Sequence, residues 1–213
     1  MINAVIFDMD GTLIDTEKLN VRFWIQTGRN LGFDITREDA LHIRSLDGKL
    51  IKRYFEDKFP TFDFEVARNE RRRLMADYVD SEGLELKPGV VEVLRDLGNR
   101  GIKIAVATAS RPDHAESYLE MLGIRQMFDK VICTSFVEKG KPEPDVYRFA
   151  CEQIGERPED CLAVEDAPNG VESAYRAGCR VVFVPDLTEA DEEIRTKSIV
   201  LTDIHDIVAV LNL

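Results

Sequence analysis

Five short, mostly apolar runs punctuate the chain, at residues 4–7, 102–107, 130–133, 161–164 and 181–184. Each is too short for a helix and gives way to a polar or glycine-bearing stretch, so each predicts a strand buried on both faces. Between them the apolar positions fall at helical spacing, as in Ala115, Tyr118, Leu119 and Leu122, or Phe149, Ala150 and Ile154. Strands alternating with helices predict βαβ units and a doubly wound parallel sheet of the Rossmann-like α/β class. The helix ends fit: Ser110 and Asp113 around Pro112 have the spacing of a capping box, and Gly123, Gly155 and Gly178 stand where helices would stop.

The stretch between the first and second runs carries no comparable strand signal. It reads as helices: one opened by Leu19, Phe23 and Trp24 and ending near Gly32, a second capped by Thr36 and Asp39, and a last one striped by Leu74, Met75, Tyr78 and Val79. The predicted organisation is a catalytic α/β core of residues 1–15 and 83–213 with a small helical cap, residues 16–82, inserted between hinges at Asp15 and Gly83.

Charge divides the chain at the same places. Residues 16–82 hold 13 basic and 13 acidic side chains, so the remainder carries the whole net charge of −12. That balance argues against nucleic acid or an anionic membrane as partner. The length of 213 residues suits one large α/β unit with an insertion, and 44% hydrophobic with 32% charged residues excludes disorder. No apolar run approaches the roughly 20 residues of a membrane helix, and the opening MINAVIFDMD lacks the basic and apolar regions of an export signal. Cys133, Cys151, Cys161 and Cys179 form no CxxC pair and read as small buried hydrophobes of a reducing compartment. A cytoplasmic monomer is expected.

Ligands of an open parallel sheet bind beyond the carboxyl ends of its strands. The polar residues predicted there are Asp8, Asp10, Gly11 and Thr12 after the first strand, Thr108, Ala109 and Ser110 after the second, Lys141 in the loop KGKPEPD, and Glu165 with Asp166 after the fourth. Asp8 and Asp10 are two apart in extended chain, about 6–7 Å, and leave the same side. One can attack an electrophile while the other manages the leaving group's proton. Gathered carboxylates without His or Cys favour a hard cation, Mg²⁺, bound by Asp8, Asp10, Glu165 and Asp166. Lys141 stands close to a helix N-terminus, where a cation is disfavoured unless an anion accompanies it. Thr108 with the amides of Ala109 and Ser110 forms a candidate phosphate nest.

The segments FDMDGTLIDT, AVATAS, GKPEPDVY and VEDAPNG resemble, in order, the four motifs of the haloacid dehalogenase superfamily. The second acid of DxDGT is similar to the phosphotransferase branches, and a helical insertion after the first motif resembles the β-phosphoglucomutase and phosphosugar phosphatase subgroup. The resemblance implies Asp8 as nucleophile, Asp10 as acid and base, Thr108 and Lys141 as phosphoryl binders, and Asp166 as a magnesium ligand with Glu165 beside it. It implies a Mg²⁺-dependent hydrolase of a small phosphorylated metabolite, with a phosphosugar as partner and an aspartyl phosphate as intermediate. The alternative is a phosphohexomutase using the same intermediate; where the subgroup's mutases carry a histidine, this chain has Asn20. A receiver domain uses similar residue types, but its accepting aspartate lies mid-chain and it has no inserted helices. The segment 44–49 is similar in placement to the family's specificity loop, so Arg44 and Lys49 are expected to contact the non-reacting end of the substrate.

Overall fold

The computed structural model describes residues 2–211. Strand β1 (Ala4–Phe7) leads into four helices, α1 (Glu17–Leu31), α2 (Arg37–His42), α3 (Gly48–Lys58) and α4 (Phe64–Glu82). The chain then runs through α5 (Val90–Asn99), β2 (Lys103–Thr108), α6 (Pro112–Met121), β3 (Lys130–Cys133), α7 (Asp145–Ile154), β4 (Cys161–Glu165) and α8 (Pro168–Ala177). It ends with β5 (Arg180–Phe183), α9 (Glu192–Lys197), β6 (Ile199–Val200) and α10 (Ile207–Val210). The strands form one six-stranded sheet, ordered β3-β2-β1-β4-β5-β6, with every pair parallel. This is the doubly wound α/β architecture expected from the alternation of runs. No helix of the described residues is long and apolar enough to cross a membrane.

Alternation along each strand divides the core in two. Val5, Phe7, Val106, Leu162 and Val164 face α5, α6 and α10, while Ala4, Ile6, Ala105, Ala107 and Ala163 face α7 and α8. The second set is rich in alanine, and those small side chains leave room for α7 to bury Tyr147 completely against the sheet. Phe7 is wholly buried under the site, and its replacement by Ala would cost about 3–5 kcal/mol by opening a cavity.

The four inserted helices bury their own apolar cluster around Trp24, Phe55, Phe62 and Phe64. Helix α1 meets α4 through Phe23 on Tyr78 and Trp24 on Phe64, with ring centroids 5.8 and 6.3 Å apart. Thr36 and Asp39 form the expected capping box, and Gly32 ends α1 in the left-handed conformation with φ 79°. The two chain crossings are stitched together, since Asp15 N–H donates to Glu85 O and Lys87 N–H to Leu13 O, both at 2.9 Å.

Three features differ from the sequence reading. Helix α3 is not among the helices picked out from the sequence, and its first residues fall in the segment read as a loop, 44–49; six of its eleven residues are charged, and Phe55 is its one fully buried side chain. Strand β6 is only two residues long, too short to signal itself. Ser110 does not cap α6: Arg111 precedes the helix, Asp113 pairs with Arg111, and the Ser110 hydroxyl donates instead to Asp10 Oδ2 at 2.8 Å.

Candidate active site

The strand order reverses about β1 and β4, which opens a crevice at their carboxyl ends. Register puts Phe7 beside Val164, so the next residues, Asp8 and Glu165, emerge as neighbours. The Asp8 amide continues the ladder by donating to Val164 O at 2.9 Å. Beyond Asp8 the chain turns sharply through Gly11, at φ 90°, where a Cβ would lie 2.4 Å from Asp166 Oδ2. Only glycine allows this turn to close over Asp166. In the first turn of α8, Gly170 has a similar role: a Cβ there would lie 2.0 Å from the Glu165 carboxylate.

Lys141 is fully buried and clamped between two acids, donating to Asp8 Oδ1 at 2.5 Å and Glu165 Oε1 at 2.6 Å. The Tyr147 hydroxyl also donates to Glu165 Oε1, at 2.5 Å. Burial opposes the charge of Lys141, but Asp8 and Glu165 outweigh it and raise its pKa above that of an ordinary lysine. Burial drives Asp8 well above the usual carboxylate range against the pull of Lys141, with Glu165 and Asp10 adding repulsion. Asp166 is raised by burial in the same way, despite Arg44. Its Oδ1 accepts from Thr12 Oγ1 at 3.3 Å, and Arg44 donates to its Oδ2.

Asp8, Glu165 and Asp166 each offer an oxygen, all within 4.8 Å of one another. Asp8 Oδ2 and Glu165 Oε2 are buried and have no hydrogen-bond partner. Three converging carboxylates with orphaned oxygens and no nitrogen or sulfur donor fit a hard divalent cation, Mg²⁺. Asp10, expected among the ligands, is absent from this group because its carboxylate turns away. Its Oδ1 accepts from Thr16 Oγ1 at 2.5 Å and its Oδ2 from Ser110 Oγ.

A cleft of about 170 Å³ lies between the sheet and the inserted helices. Asp8, Asp10, Ala109 and Ser110 line it, whereas Thr108 and Lys141 lie fully buried beneath. The Thr108 hydroxyl oxygen accepts from the Ser110 amide at 3.0 Å. Arg44 lines the cleft too, but its guanidinium points into the acids, donating to Glu17 Oε2 at 2.9 Å and Thr188 Oγ1 at 2.7 Å as well as to Asp166. Burial pushes Glu17 up to about 7 against the pull of Arg44. Lys49 is exposed on the first turn of α3 and does not line the cleft, because that helix carries it outward.

Tyr147, Glu17, Arg71, Arg72, Arg111 and His114 also belong to the site or its cleft, and the sequence reading does not single them out. Three consecutive arginines at 71–73 are a visible signal. Successive helical residues point about 100° apart, however, so the sequence alone does not say which of them face inward.

A doubly wound sheet with an aspartate pair, a buried lysine and a carboxylate cluster at its switch point defines a class of acid-centred α/β enzymes. The family model for haloacid dehalogenase-like hydrolases matches residues 2–178, and the chain belongs to that family. Protein CbbY of Cereibacter sphaeroides is 30% identical over 204 residues, covering 91% of this chain and 88% of the relative. A phosphorylated carbohydrates phosphatase of Thermotoga maritima is also 30% identical, covering 85% and 84%. The crystal structure of CbbY from Rhodobacter sphaeroides in complex with phosphate superposes with a TM-score of 0.83 at 26% identity over the full length of both chains.

Proposed function

We propose that the protein hydrolyses the phosphomonoester of a small phosphorylated metabolite, a phosphosugar, through an aspartyl phosphate on Asp8. The observation that carries this reading is Asp8 itself: it lines the cleft, one oxygen is held by Lys141, and the other has no partner. The Thermotoga relative, named for phosphorylated carbohydrates, supports the substrate class.

In this mechanism Asp8 attacks phosphorus, forming the aspartyl–phosphorus bond as the bond to the leaving oxygen breaks. Asp10 gives its proton to that oxygen. It then takes a proton from the water that cleaves the aspartyl phosphate, releasing inorganic phosphate and restoring Asp8. Thr16 and Ser110 donate to the two Asp10 oxygens and so fix the carboxylate in place. Lys141 holds Asp8 in position and offsets negative charge beneath it in a site closed to water. Asp8, Glu165 and Asp166 would hold Mg²⁺, which when bound supplies further charge compensation to the phosphoryl group. The inserted helices act as a cap that shields the reaction from bulk water.

Hydrolysis is favoured over mutase chemistry because Asn20 cannot carry a proton as an imidazole does. Its side chain is also engaged, donating to Glu17 at 3.0 Å and accepting from Arg71 at 2.6 Å. The test is phosphate release from a panel of sugar phosphates with Mg²⁺ or EDTA, for the wild type and Asp8→Asn. Activity confined to the wild type with Mg²⁺ is expected. Near wild-type turnover by a folded Asp8→Asn variant overturns the nucleophile assignment. Conversion of β-glucose 1-phosphate to glucose 6-phosphate faster than phosphate release overturns the hydrolytic reading.

A further inference from the structure

The cleft that holds Asp8 and Asp10 continues to a basic wall formed by Arg71 and Arg72 of α4, with Arg111, which is paired with Asp113, and the neutral His114 imidazole at the start of α6. The neighbouring arginines of α4 are neutralised: Arg68 pairs with Glu65, and Arg73 with Glu70 and Asp77. Arg71 and Arg72 form no ion pair among the described residues. Arg71 spends Nη1 on the neutral Asn20 amide, while its Nε is buried without a partner. Its guanidinium lies 5.8 Å from the centroid of the Trp24 ring, which holds the planar group against the cleft side of α1.

The basic groups of this wall also act on one another. Burial lowers the pKa of Arg72, and Arg68, Arg111 and Arg71 lower it further. His114 is lowered by burial, and although Asp113 opposes this, Arg111, Arg72 and Arg71 add to the fall. Burial likewise lowers Arg71, against the opposing pull of Asp10 and Glu17. A chain with a net charge of −12 has acidic groups in excess, yet among the described residues none pairs with these two arginines, and Asp10 and Glu17 act on Arg71, and Glu65 on Arg72, only from beyond ion-pair distance. A buried cation without a counter-ion is costly, and an anion entering the cleft would relieve that cost.

We infer that the substrate carries a second anionic group, a phosphate or a carboxylate, and that Arg71 and Arg72, with Arg111 beside them, bind it at the far end of the cleft from Asp8. The inference rests on the phosphatase reading and narrows its substrate class. Guanidinium groups present planar, paired donors that match either anion, whereas the hydroxyls of a neutral polyol would leave the wall uncompensated.

The test compares matched pairs that differ only at the far end: fructose 1,6-bisphosphate with fructose 1-phosphate, and 3-phosphoglycerate with glycerol 3-phosphate. With Mg²⁺ present, the doubly anionic member should lead in kcat/KM by on the order of tenfold or more. Whichever pair shows the larger ratio identifies the second group as phosphate or carboxylate. Arg71→Ala and Arg72→Ala should reduce that ratio by a similar factor, and Arg71→Lys should restore part of it. Arg71→Gln, which keeps most of the side-chain volume, takes the place of Arg71→Ala if the latter does not fold. The inference is overturned if neutral-ended esters are used equally well, or if the preference survives both arginine replacements. If no phosphomonoester is hydrolysed, the phosphatase reading has failed by itself. Calorimetric binding of the same pairs to the Asp8→Asn variant then decides the inference: tighter binding of the doubly anionic members upholds it, and equal affinity overturns it.

Discussion

Arg44, from the turn between α2 and α3, donates to the Asp166 carboxylate beyond the end of β4, so an inserted residue supplies the counter-charge of a buried acid at the sheet. The same guanidinium holds Glu17, giving one cation for two carboxylates whose side chains are at most 7% exposed. Arg44 was expected at the substrate's far end because of its basic charge and its place in the chain. It faces the acids instead, since a buried pair of carboxylates is the stronger claim on a guanidinium.

Arg44→Ala should therefore destabilise the metal-free protein by about 3–5 kcal/mol, the scale of leaving buried charge without its partner. A cation added to Asp166 replaces part of what was lost, so Mg²⁺ should narrow the gap between variant and wild type. Urea unfolding of both proteins in EDTA and in Mg²⁺ measures this. An unchanged gap would separate the Arg44 pair from metal binding.

Lys141→Ala should lower kcat by on the order of 10² or more, because in the proposed mechanism the lysine opposes charge that builds during phosphoryl transfer. Steady-state kinetics separate this from weaker binding. A rise in KM with kcat unchanged would mean that Lys141 serves ground-state binding alone.

Gly170→Ala should abolish activity, because the added methyl would overlap the Glu165 carboxylate at 2.0 Å and nothing there is free to yield. Gly155→Ala is the control: it removes the glycine that ends α7, and the only atom within 4 Å of the added methyl is Lys103 Nζ, at 3.9 Å. It should cost only local backbone strain at φ 70°. Phosphatase assays and thermal unfolding of the two variants distinguish a site-specific clash from a general intolerance of alanine.

The sheet was legible because strands buried on both faces leave unbroken apolar runs, and β1 is buried along its entire length. The acids, Lys141 and the 108–110 segment were legible because a parallel sheet collects the ends of its strands at one edge. The parts contributed by the inserted helices were not. Helix α3 hides its single buried aromatic among charges, and Arg71 and Arg73 differ by only two positions although one lines the cleft and the other is exposed. Tyr147 reads as an ordinary core aromatic, and its contact with Glu165 follows from the alanine-rich face beneath α7. Such contacts are set by helix rotation and packing, which the order of residue types does not encode.

The inserted helices should respond to acid through Asp39, the residue that caps α2 and ties it to α3. Its carboxylate accepts from the Thr36 amide and hydroxyl, both at 2.7 Å, from the Tyr54 hydroxyl at 2.6 Å, and from the Lys58 ammonium. Burial works against the charge, but these four donors outweigh it and hold the pKa well below the ordinary 3.8. A carboxyl with a depressed folded-state pKa is protonated first in the unfolded chain. Its stabilising contribution is therefore complete above about 3.8 and drains away as pH falls toward the folded-state value. Asp39→Asn keeps the size of the side chain and removes the charge, and at pH 6 it should cost about 1–3 kcal/mol in unfolding free energy. Repeating the urea titrations of wild type and variant at pH 3 should show the difference reduced. A difference constant between pH 6 and pH 3 would show that geometry alone, and not the charge on Asp39, holds α2 against α3.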